Sequence, residues 1–290
     1  MSDATGPQTR EVADPSPRVV VRHRLSTRIW HWTNALTLLV MAMSGMMIFN
    51  AHPRLYWGEY GANADAAWLE IGARGERGYL RIGGAQVETT GVLGRWRDAD
   101  GMTRSRAFPY WATIPSNYSL AGGRLWHLSF AWIFALSLTA YMIRSLCNGH
   151  LRRDLATDRS DWSPRHLWRE VKDHARLRFT KGAAAPRYNS LQKLSYIGVI
   201  FVMLPLMIFT GLAMSPGFDA ALPIAEAFGG RQSARSIHFI TMCALIGFFI
   251  VHIAMVVAAG PINEIRSMIT GRYRMPRDRE DAAIAKEQIR

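Results

Sequence analysis

Four stretches of this sequence are long and apolar enough to cross the hydrocarbon core of a membrane, which takes about 20 helical residues. They run over residues 29–49, 125–146, 191–214 and 237–259. The first stretch continues past Ser44 without the small-x-small cleavage site of a secretory signal, so we expect it to stay in the mature protein. The pattern predicts an all-α integral membrane protein, a bundle of four transmembrane helices.

Basic residues are distributed unevenly among the segments that join these helices. Segment 1–27, loop 147–189 and tail 260–290 are rich in arginine, whereas the loop around SPGFDAALPIAEAFGGRQ holds a single one, Arg231. Short loops rich in Lys and Arg remain on the cytoplasmic side, and long loops translocate largely regardless of charge. We therefore expect both tails and loop 147–189 to be cytoplasmic, and the long loop 50–123 to lie outside.

Charge and cysteine content narrow the classes of function. The net charge of +13 belongs mainly to a basic rim beside the membrane domain, 28–259, so its expected partner is the lipid bilayer and not nucleic acid. The two cysteines, Cys147 and Cys243, form no CxxC pair. Covalent c-type haem, iron–sulfur clusters and zinc sites therefore lack ligands here, and histidine is the remaining candidate.

Histidines occur within the apolar helices, where an imidazole costs free energy unless it finds a partner. His238 and His252 are fourteen residues apart, close to four helical turns, so they project from nearly one face about 21 Å apart along the axis. His31, in RIWHW, begins the first helix on the inner side, and His127, in RLWHL, begins the second on the outer side. By depth, His31 matches His252 and His127 matches His238.

Facing histidine pairs are what six-coordinate haem iron requires, with one imidazole on each side of the porphyrin. The sequence thus predicts two b-type haems stacked across the membrane, with the four histidines as iron ligands. For any single histidine, a hydrogen bond that fastens the bundle to a neighbouring helix is the open alternative.

Arginine and glycine accompany the histidines at regular spacings. Arg28, Arg124 and Arg235 each precede one histidine by three residues toward water, which suits them to haem propionates. Arginines that only snorkel at helix ends are the alternative. Gly45 follows His31 by fourteen residues and leaves room for a porphyrin edge at the depth of the outer pair, although a packing glycine is an equally ordinary explanation.

Several motifs resemble those of a known family. RxxHW in the first helix, RxxH in the second, YNSLQKLSY at the third and H-x13-H in the fourth resemble the di-haem cytochrome b subunits of the bacterial cytochrome b561 superfamily. Its members include the membrane subunits of formate dehydrogenase, nickel–iron hydrogenase and thiosulfate reductase. GGRQSARSIHF and TGLAMSP look most like the type that accompanies molybdopterin-dependent oxidoreductases.

The resemblance implies a role in the bacterial cytoplasmic (inner) membrane. Such subunits carry electrons between a quinone in the bilayer and a periplasmic catalytic subunit. Carried over to this chain, His31 and His252 hold the inner haem, and His127 and His238 hold the outer one. Its own side chains are then expected to form no catalytic constellation.

Quinone is expected at the inner side, because Asn189, in YNSLQK, matches the family's quinone-site asparagine. The amide can hydrogen-bond a quinone oxygen, Gln192 follows nearby, and Lys193 is placed to exchange protons with the cytoplasm. Helix capping by Asn189 is the alternative.

Two further segments carry structural predictions. Ser163 and Pro164 can begin an amphipathic, interfacial helix within the cytoplasmic loop. The sequence GYLRIGGAQVETTGVLGRW predicts a β-hairpin in the outer loop. The remaining histidines are interpreted as surface residues: His23, His52, His150, His166 and His174.

Two alternatives to the electron-transfer subunit stay open at this point. The first is a stand-alone quinone-linked oxidase or reductase of a small molecule such as superoxide, acting at the outer haem. The second is a non-redox transporter or scaffold in which the histidines relay protons or pack.

Overall fold

The computed structural model describes residues 19–62, 65–147, 163–175 and 190–274. Its helices are α1 (Leu25–Phe49), α2 (Leu120–Cys147), α3 (Pro164–Ala175), α4 (Ser190–Ile197), α5 (Leu204–Ala213), α6 (Pro216–Ala221), α7 (Ile224–Ala227), α8 (Arg231–Ala259) and α9 (Pro261–Thr270). Its strands are β1 (Val19–Val21), β2 (Arg54–Leu55), β3 (Leu69–Arg74), β4 (Arg77–Ile82), β5 (Ala85–Glu88), β6 (Trp96–Arg97), β7 (Thr103–Arg104) and β8 (Arg272–Arg274).

The four predicted membrane spans are confirmed as helices. They are α1, α2, a third span over Lys193–Ala213, and α8. Three of them, α1, α2 and α8, begin earlier than predicted. α2 begins at Leu120, where Ser119 Oγ accepts a hydrogen bond from the Gly122 N–H at 3.1 Å and so caps the first turn.

The start of α8 is set by a close approach to the outer loop. Gly230 has a φ of 107°, a conformation that glycine adopts at no steric cost. A Cβ at this position would lie 2.6 Å from the backbone of Gly58. The helix therefore begins at Arg231, ahead of the predicted start at residue 237.

The third span is irregular at its middle. α4 passes through a π-helical segment, Gly198–Met203, into α5, and the Leu204 N–H bonds the Val199 carbonyl five residues earlier. Pro205 follows directly, has no N–H and crowds the carbonyl four residues before it. A proline of this kind explains why the helical ladder widens here.

Apolar side chains from three of the spans pack together at the centre of the bundle. A buried cluster joins Met41 of α1, Phe134 and Leu138 of α2, and Leu204 and Met207 of the third span. α1 packs on α2, and α5 packs on α8. Much of the remaining helix surface is exposed and apolar, as lipid contact requires.

The outer loop forms a small β domain that is larger than the predicted hairpin. The β4–β5 hairpin is confirmed, and it belongs to an antiparallel sheet of order β2–β3–β4–β5. Hydrogen bonds with the end of α1 and the start of α8 attach the domain to the bundle. Asn50 exchanges two hydrogen bonds with the Phe108 backbone, and the Trp68 indole N–H donates to Ser236 Oγ at 2.9 Å.

The end of the bundle opposite to the β domain holds the segments that precede α1 and follow α8 in sequence. We call it the inner end, after the predicted orientation. β1 pairs antiparallel with β8. Arg22 binds Glu264 of α9 through both carboxylate oxygens, at 2.9 and 3.0 Å. The predicted helix in loop 147–189 occurs as α3, beginning at Pro164, and its interfacial position stays a prediction.

Candidate functional site

A continuous cavity of about 2400 Å³ runs through the bundle. An ordinary ligand pocket holds roughly 300–1,000 Å³, so this space suits more than one large ligand. Its wall includes Arg22 and Glu264 at the inner end and Arg124 and Arg231 at the outer end. All four candidate histidines line it: His31, His127, His238 and His252.

The structure brings these histidines together in the pairs that depth indicates. The ring centres of His31 and His252 are 6.4 Å apart, and those of His127 and His238 are 6.3 Å apart. Each pair joins two different helices across the cavity, α1 with α8 at the inner end and α2 with α8 at the outer end.

These separations fit one metal ion between the two rings of each pair. A metal–imidazole bond is about 2.0–2.1 Å long, so two such bonds and the two ring radii together need ring centres about 6 Å apart. Within the described part of the chain, no group of three or more His, Cys, Asp or Glu residues could hold a bare metal ion. Two protein ligands with a wide apolar space around them suit a metal whose other ligands come from a macrocycle.

The outer histidines are fixed through their second ring nitrogens. His127 Nδ1 lies 3.1 Å from the Met41 carbonyl oxygen and 3.1 Å from Ser44 Oγ. His238 Nδ1 lies 2.9 Å from Thr210 Oγ1. With Nδ1 engaged in this way, Nε2 of each ring is left for a metal.

A glycine lies beside each outer histidine. A Cβ added to Gly45 would be 3.4 Å from His127 Cε1, and one added to Gly211 would be 3.7 Å from His238 Cε1. Both glycines line the cavity. Sequence reasoning found Gly45 but missed Gly211, although the pair Thr210-Gly211 repeats the pair Ser44-Gly45 within an apolar helix.

The inner pair has different surroundings. His31 contacts the edge of Trp32, with ring centres 5.2 Å apart, and His252 stacks on Phe248 at 6.0 Å. His31 Nδ1 is buried and has no hydrogen-bond partner among the described residues.

The predicted propionate arginines separate into two groups. Arg124 and the half-buried Arg235 line the outer part of the cavity. Arg28 is absent from the cavity wall, and its guanidinium donates instead to the Ile269 carbonyl of α9. Among the described residues, the cations that line the inner part are Arg22, Arg24, Arg144 and Lys193.

Two polar residues at the outer end were not recognised from the sequence. His52, interpreted there as a surface histidine, lines the cavity together with Gln232. His52 Nε2 and Gln232 Oε1 are buried and lack hydrogen-bond partners in the part of the chain that the structure describes. Burial, followed by the charges of Arg235 and Arg54, lowers the pKa of His52 below its usual value, so the ring is neutral at pH 7. Orphaned polar atoms at a cavity end fit a polar ligand group.

His23, also interpreted as a surface residue, lines the inner end of the cavity. Burial is the main cause that lowers its pKa to about 4, with smaller effects from Arg22, His31 and Arg28. Of the other three, His166 and His174 lie on α3, and His150 falls outside the described residues.

The expected quinone residues are described only in part. Lys193 lines the inner end of the cavity, together with Tyr141 and Tyr196. Gln192 lies in the first turn of α4. Asn189 falls outside the described residues.

A four-helix membrane bundle that holds two facing imidazole pairs in one apolar cavity has the architecture of a membrane-bound cytochrome b. The chain belongs to the prokaryotic cytochrome b561 family, whose sequence model matches residues 22–271. It is therefore a multi-pass membrane protein that binds haem b and transfers electrons, and the transporter or scaffold alternative loses its support.

A curated relative is the putative protein-methionine-sulfoxide reductase subunit YedZ1 of Azospira oryzae. The two sequences are 29% identical over 169 residues, which cover 57% of this chain and 79% of the relative. No solved structure matches the chain significantly.

Proposed function

We propose that this protein is a di-haem electron-transfer subunit that connects the quinone pool with a periplasmic oxidoreductase. The observation that carries the proposal is the presence of two imidazole pairs, at 6.3 and 6.4 Å, in one continuous cavity. A single haem would leave one of these pairs without a ligand inside an apolar bundle, where unpaired imidazoles are costly.

The chain's own residues would bind and insulate two haem b groups, which supply one-electron redox chemistry when bound. His31 and His252 hold the inner group, and His127 and His238 hold the outer one. Between them, the buried side chains of Phe134 and its neighbours exclude water and keep the local dielectric low.

Carboxylate groups of the outer haem would meet the polar end of the cavity. Arg235 and Arg124 supply positive charge there, and the buried His52 and Gln232 supply polar atoms that have no partner among the described residues. Arginine suits carboxylates through both its charge and its fork of N–H donors.

The quinone would bind at the inner end, which we place at the cytoplasmic face of the bacterial inner membrane. Lys193 lines the cavity there, as His252 does, and its Nζ can carry a proton to or from the quinone. Asn189 and Gln192 would complete the site by hydrogen-bonding quinone oxygens. Both chain termini then lie in the cytoplasm.

A periplasmic partner would bind at the outer end. The similarity to a reductase subunit supports a partner of the methionine-sulfoxide reductase kind, and the sequence resemblance supports a molybdopterin-dependent one. The β domain lies over the outer end of the cavity, where Gly58 contacts Ser233 at the start of α8. Electrons would therefore leave on the side opposite to the quinone.

The stand-alone oxidase or reductase remains a second candidate because the outer mouth of the cavity is cationic. Arg124, Arg231 and Arg235 all line this mouth and would attract a small anion such as superoxide. Co-purification of a second subunit from mild detergent distinguishes the two candidates.

The haem stoichiometry of the purified protein tests the main proposal. We expect two b-type haems per chain, with His127→Ala removing the outer one only and His252→Ala removing the inner one only, because each iron loses one of its two axial bonds. Pyridine haemochrome content and redox titration of each variant measure this. Full haem content with an unchanged spectrum in either variant would contradict the pairing.

A further inference from the structure

The two histidine pairs differ in what their second ring nitrogens contact. At the outer pair, His127 Nδ1 meets Ser44 Oγ and the Met41 carbonyl, and His238 Nδ1 meets Thr210 Oγ1. At the inner pair, His31 Nδ1 has no acceptor among the described residues. The outer imidazoles are therefore held by protein groups in a way that His31 is not.

The direction of these outer hydrogen bonds is fixed by the chemistry of the partners. Thr210 Oγ1 lies 2.6 Å from the Leu206 carbonyl oxygen, and its single hydrogen is directed there. The hydroxyl must then accept a hydrogen bond from His238 Nδ1–H. His238 is consequently in the tautomer whose Nε2 lone pair faces the cavity.

The same argument holds for the other outer ligand. A carbonyl oxygen can only accept, so the contact with Met41 requires that His127 Nδ1 carries the hydrogen. Ser44 Oγ directs its own hydrogen toward the Met41 carbonyl and adds a second acceptor for the imidazole. His127 Nδ1 thus has a carbonyl and a hydroxyl acceptor at 3.1 Å, whereas at His238 the Thr210 hydroxyl makes the close contact and the Met207 carbonyl lies nearby.

The residues that contact the outer histidines form the same two-residue motif twice, a hydroxyl residue followed by glycine. Ser44-Gly45 on α1 meets His127 on α2, and Thr210-Gly211 on α5 meets His238 on α8. In each case the glycine leaves space for the ring, and the preceding hydroxyl reaches its Nδ1. The two halves of the outer site are built alike from pairs of helices that already pack together.

A hydrogen bond accepted from Nδ1–H fixes the ring orientation and raises the basicity of Nε2, which strengthens it as a metal ligand. A more basic axial ligand stabilises the oxidised iron over the reduced iron and lowers the reduction potential. We propose, on the basis of the proposed two-haem function, that Ser44 and Thr210 are positioning residues that lower the outer haem's potential and tighten its binding, and so make the outer iron site inequivalent to the inner one.

Thr210→Val is the principal test, because valine keeps the shape of threonine and removes the acceptor. The net value of one hydrogen bond, about 0.5–1.5 kcal/mol, corresponds to a roughly two- to tenfold shift in the reduction equilibrium. For a one-electron couple a tenfold shift is about 59 mV. We expect the outer midpoint to rise by up to that amount while the inner midpoint stays unchanged.

Ser44→Ala should give a smaller rise, since the Met41 carbonyl still accepts from His127 Nδ1. Thr210→Ser, which keeps the hydroxyl, should retain the wild-type potential. Resonance Raman iron–imidazole frequencies and the rate of haem loss to an excess of apo-myoglobin give readouts that are independent of turnover, and both should change in Thr210→Val.

Two control variants remove the same kind of hydroxyl group at positions that do not contact a histidine. Thr241 Oγ1 bonds the Ile237 carbonyl at 2.8 Å on α8, outside the cavity wall, and Ser137 Oγ bonds the Phe134 carbonyl at 3.1 Å within the wall. Thr241→Val and Ser137→Ala should leave the outer midpoint unchanged.

Three results would overturn the inference. They are a Thr210→Val shift no larger than that of Thr241→Val, an equal shift in Thr210→Ser, or a shift of the inner midpoint instead of the outer one. If the wild-type protein bound no haem at the outer pair, this inference and the proposed function would both be wrong. If it bound two haems but Thr210→Val left the outer midpoint potential unchanged, this inference alone would be wrong.

Discussion

At the scale of single residues, the position of a charge relative to the cavity decides its effect more than its spacing from a histidine does. Arg235 and Arg28 both precede a histidine by three residues, yet Arg235 lines the cavity and Arg28 bonds the Ile269 carbonyl. Spacing along a helix fixes which face a residue occupies. It does not fix the direction of a long side chain at the helix end, where α9 supplies a competing acceptor for Arg28.

Arg235→Gln should lower the midpoint potential of the outer haem, because removing a nearby positive charge favours the more positive, oxidised iron. At an effective dielectric of about 20, such a charge is worth on the order of 1 kcal/mol, roughly 40 mV for a one-electron couple. Redox titration followed in the visible bands measures the shift. Arg28→Gln is the control and should leave the outer midpoint unchanged; equal shifts in both variants would contradict the role of Arg235.

Sequence alone predicted the four histidines and their pairing because each lies in a helix whose depth follows from hydropathy. It missed His52, Gln232 and Gly211 for different reasons. His52 lies in the turn between α1 and β2, and its place beside Arg235 depends on how the β domain folds back on the bundle. Gly211 lies on a span without a histidine, beyond the π-helical segment that changes which residues share its face.

At the scale of secondary-structure elements, the spans follow directly from composition, whereas their ends depend on contacts that are distant in sequence. β1 precedes all four spans in sequence and β8 follows them, yet the two strands pair. No local sequence pattern predicts this pairing. α9 is an amphipathic helix that the sequence prediction omitted, and its Glu264 binds Arg22 and lines the inner end of the cavity. Glu264 of α9 and Arg22, directly after β1, therefore line the inner end, where hydropathy predicts no element.

The outer sheet contains a charged network that gives it a defined pH dependence. Glu70 accepts hydrogen bonds from Arg54, Tyr79 and Arg81. Burial on its own raises the pKa of Glu70, but hydrogen bonds from Arg81, Tyr79 and Arg54 outweigh it, and the net pKa lies below the ordinary value of 4.5. Because the folded pKa is depressed, this stabilisation is fully present above about pH 4.5 and is lost as the pH falls through the folded pKa.

We therefore expect β3 and β4 to lose protection against hydrogen exchange, relative to α1, as the pH is lowered below 4.5. Glu70→Gln should weaken the sheet already at pH 7, by about 1–3 kcal/mol, and should flatten this pH dependence. Pulsed exchange read by mass spectrometry, corrected for the intrinsic effect of pH on exchange, measures both. A variant that keeps the wild-type pH profile would assign the acid sensitivity to another group.

At the scale of the whole molecule, the bundle separates two kinds of chemistry along one axis. The two histidine levels lie about 21 Å apart on α8, with Lys193 and Glu264 at one end of the cavity and Arg231 and the β domain at the other. A quinone at the inner end would exchange protons with one aqueous phase, and a partner at the outer end would exchange electrons facing the other. The proposed arrangement would then couple redox chemistry to charge movement across the membrane.

Lys193→Gln tests this separation, because it removes the proposed proton carrier while the histidines remain. Reduction of the inner haem by quinol should slow several-fold, since proton transfer by a positioned group contributes about 10²-fold or more at full effect. Reduction of the outer haem by a small, membrane-impermeant reductant should stay near the wild-type rate. Stopped-flow spectroscopy on proteoliposomes resolves the two steps.

Lys172→Gln is the matched control, since Lys172 lies on α3 over the Trp168 ring and outside the cavity wall. It should leave both rates unchanged. Asn189→Ala should behave like Lys193→Gln if the asparagine binds the quinone, and like the control if it only caps α4. If Lys193→Gln and Asn189→Ala both leave quinol reduction intact while Arg231→Gln abolishes it, the quinone binds at the outer end, and electrons and protons are then handled on the same face of the membrane.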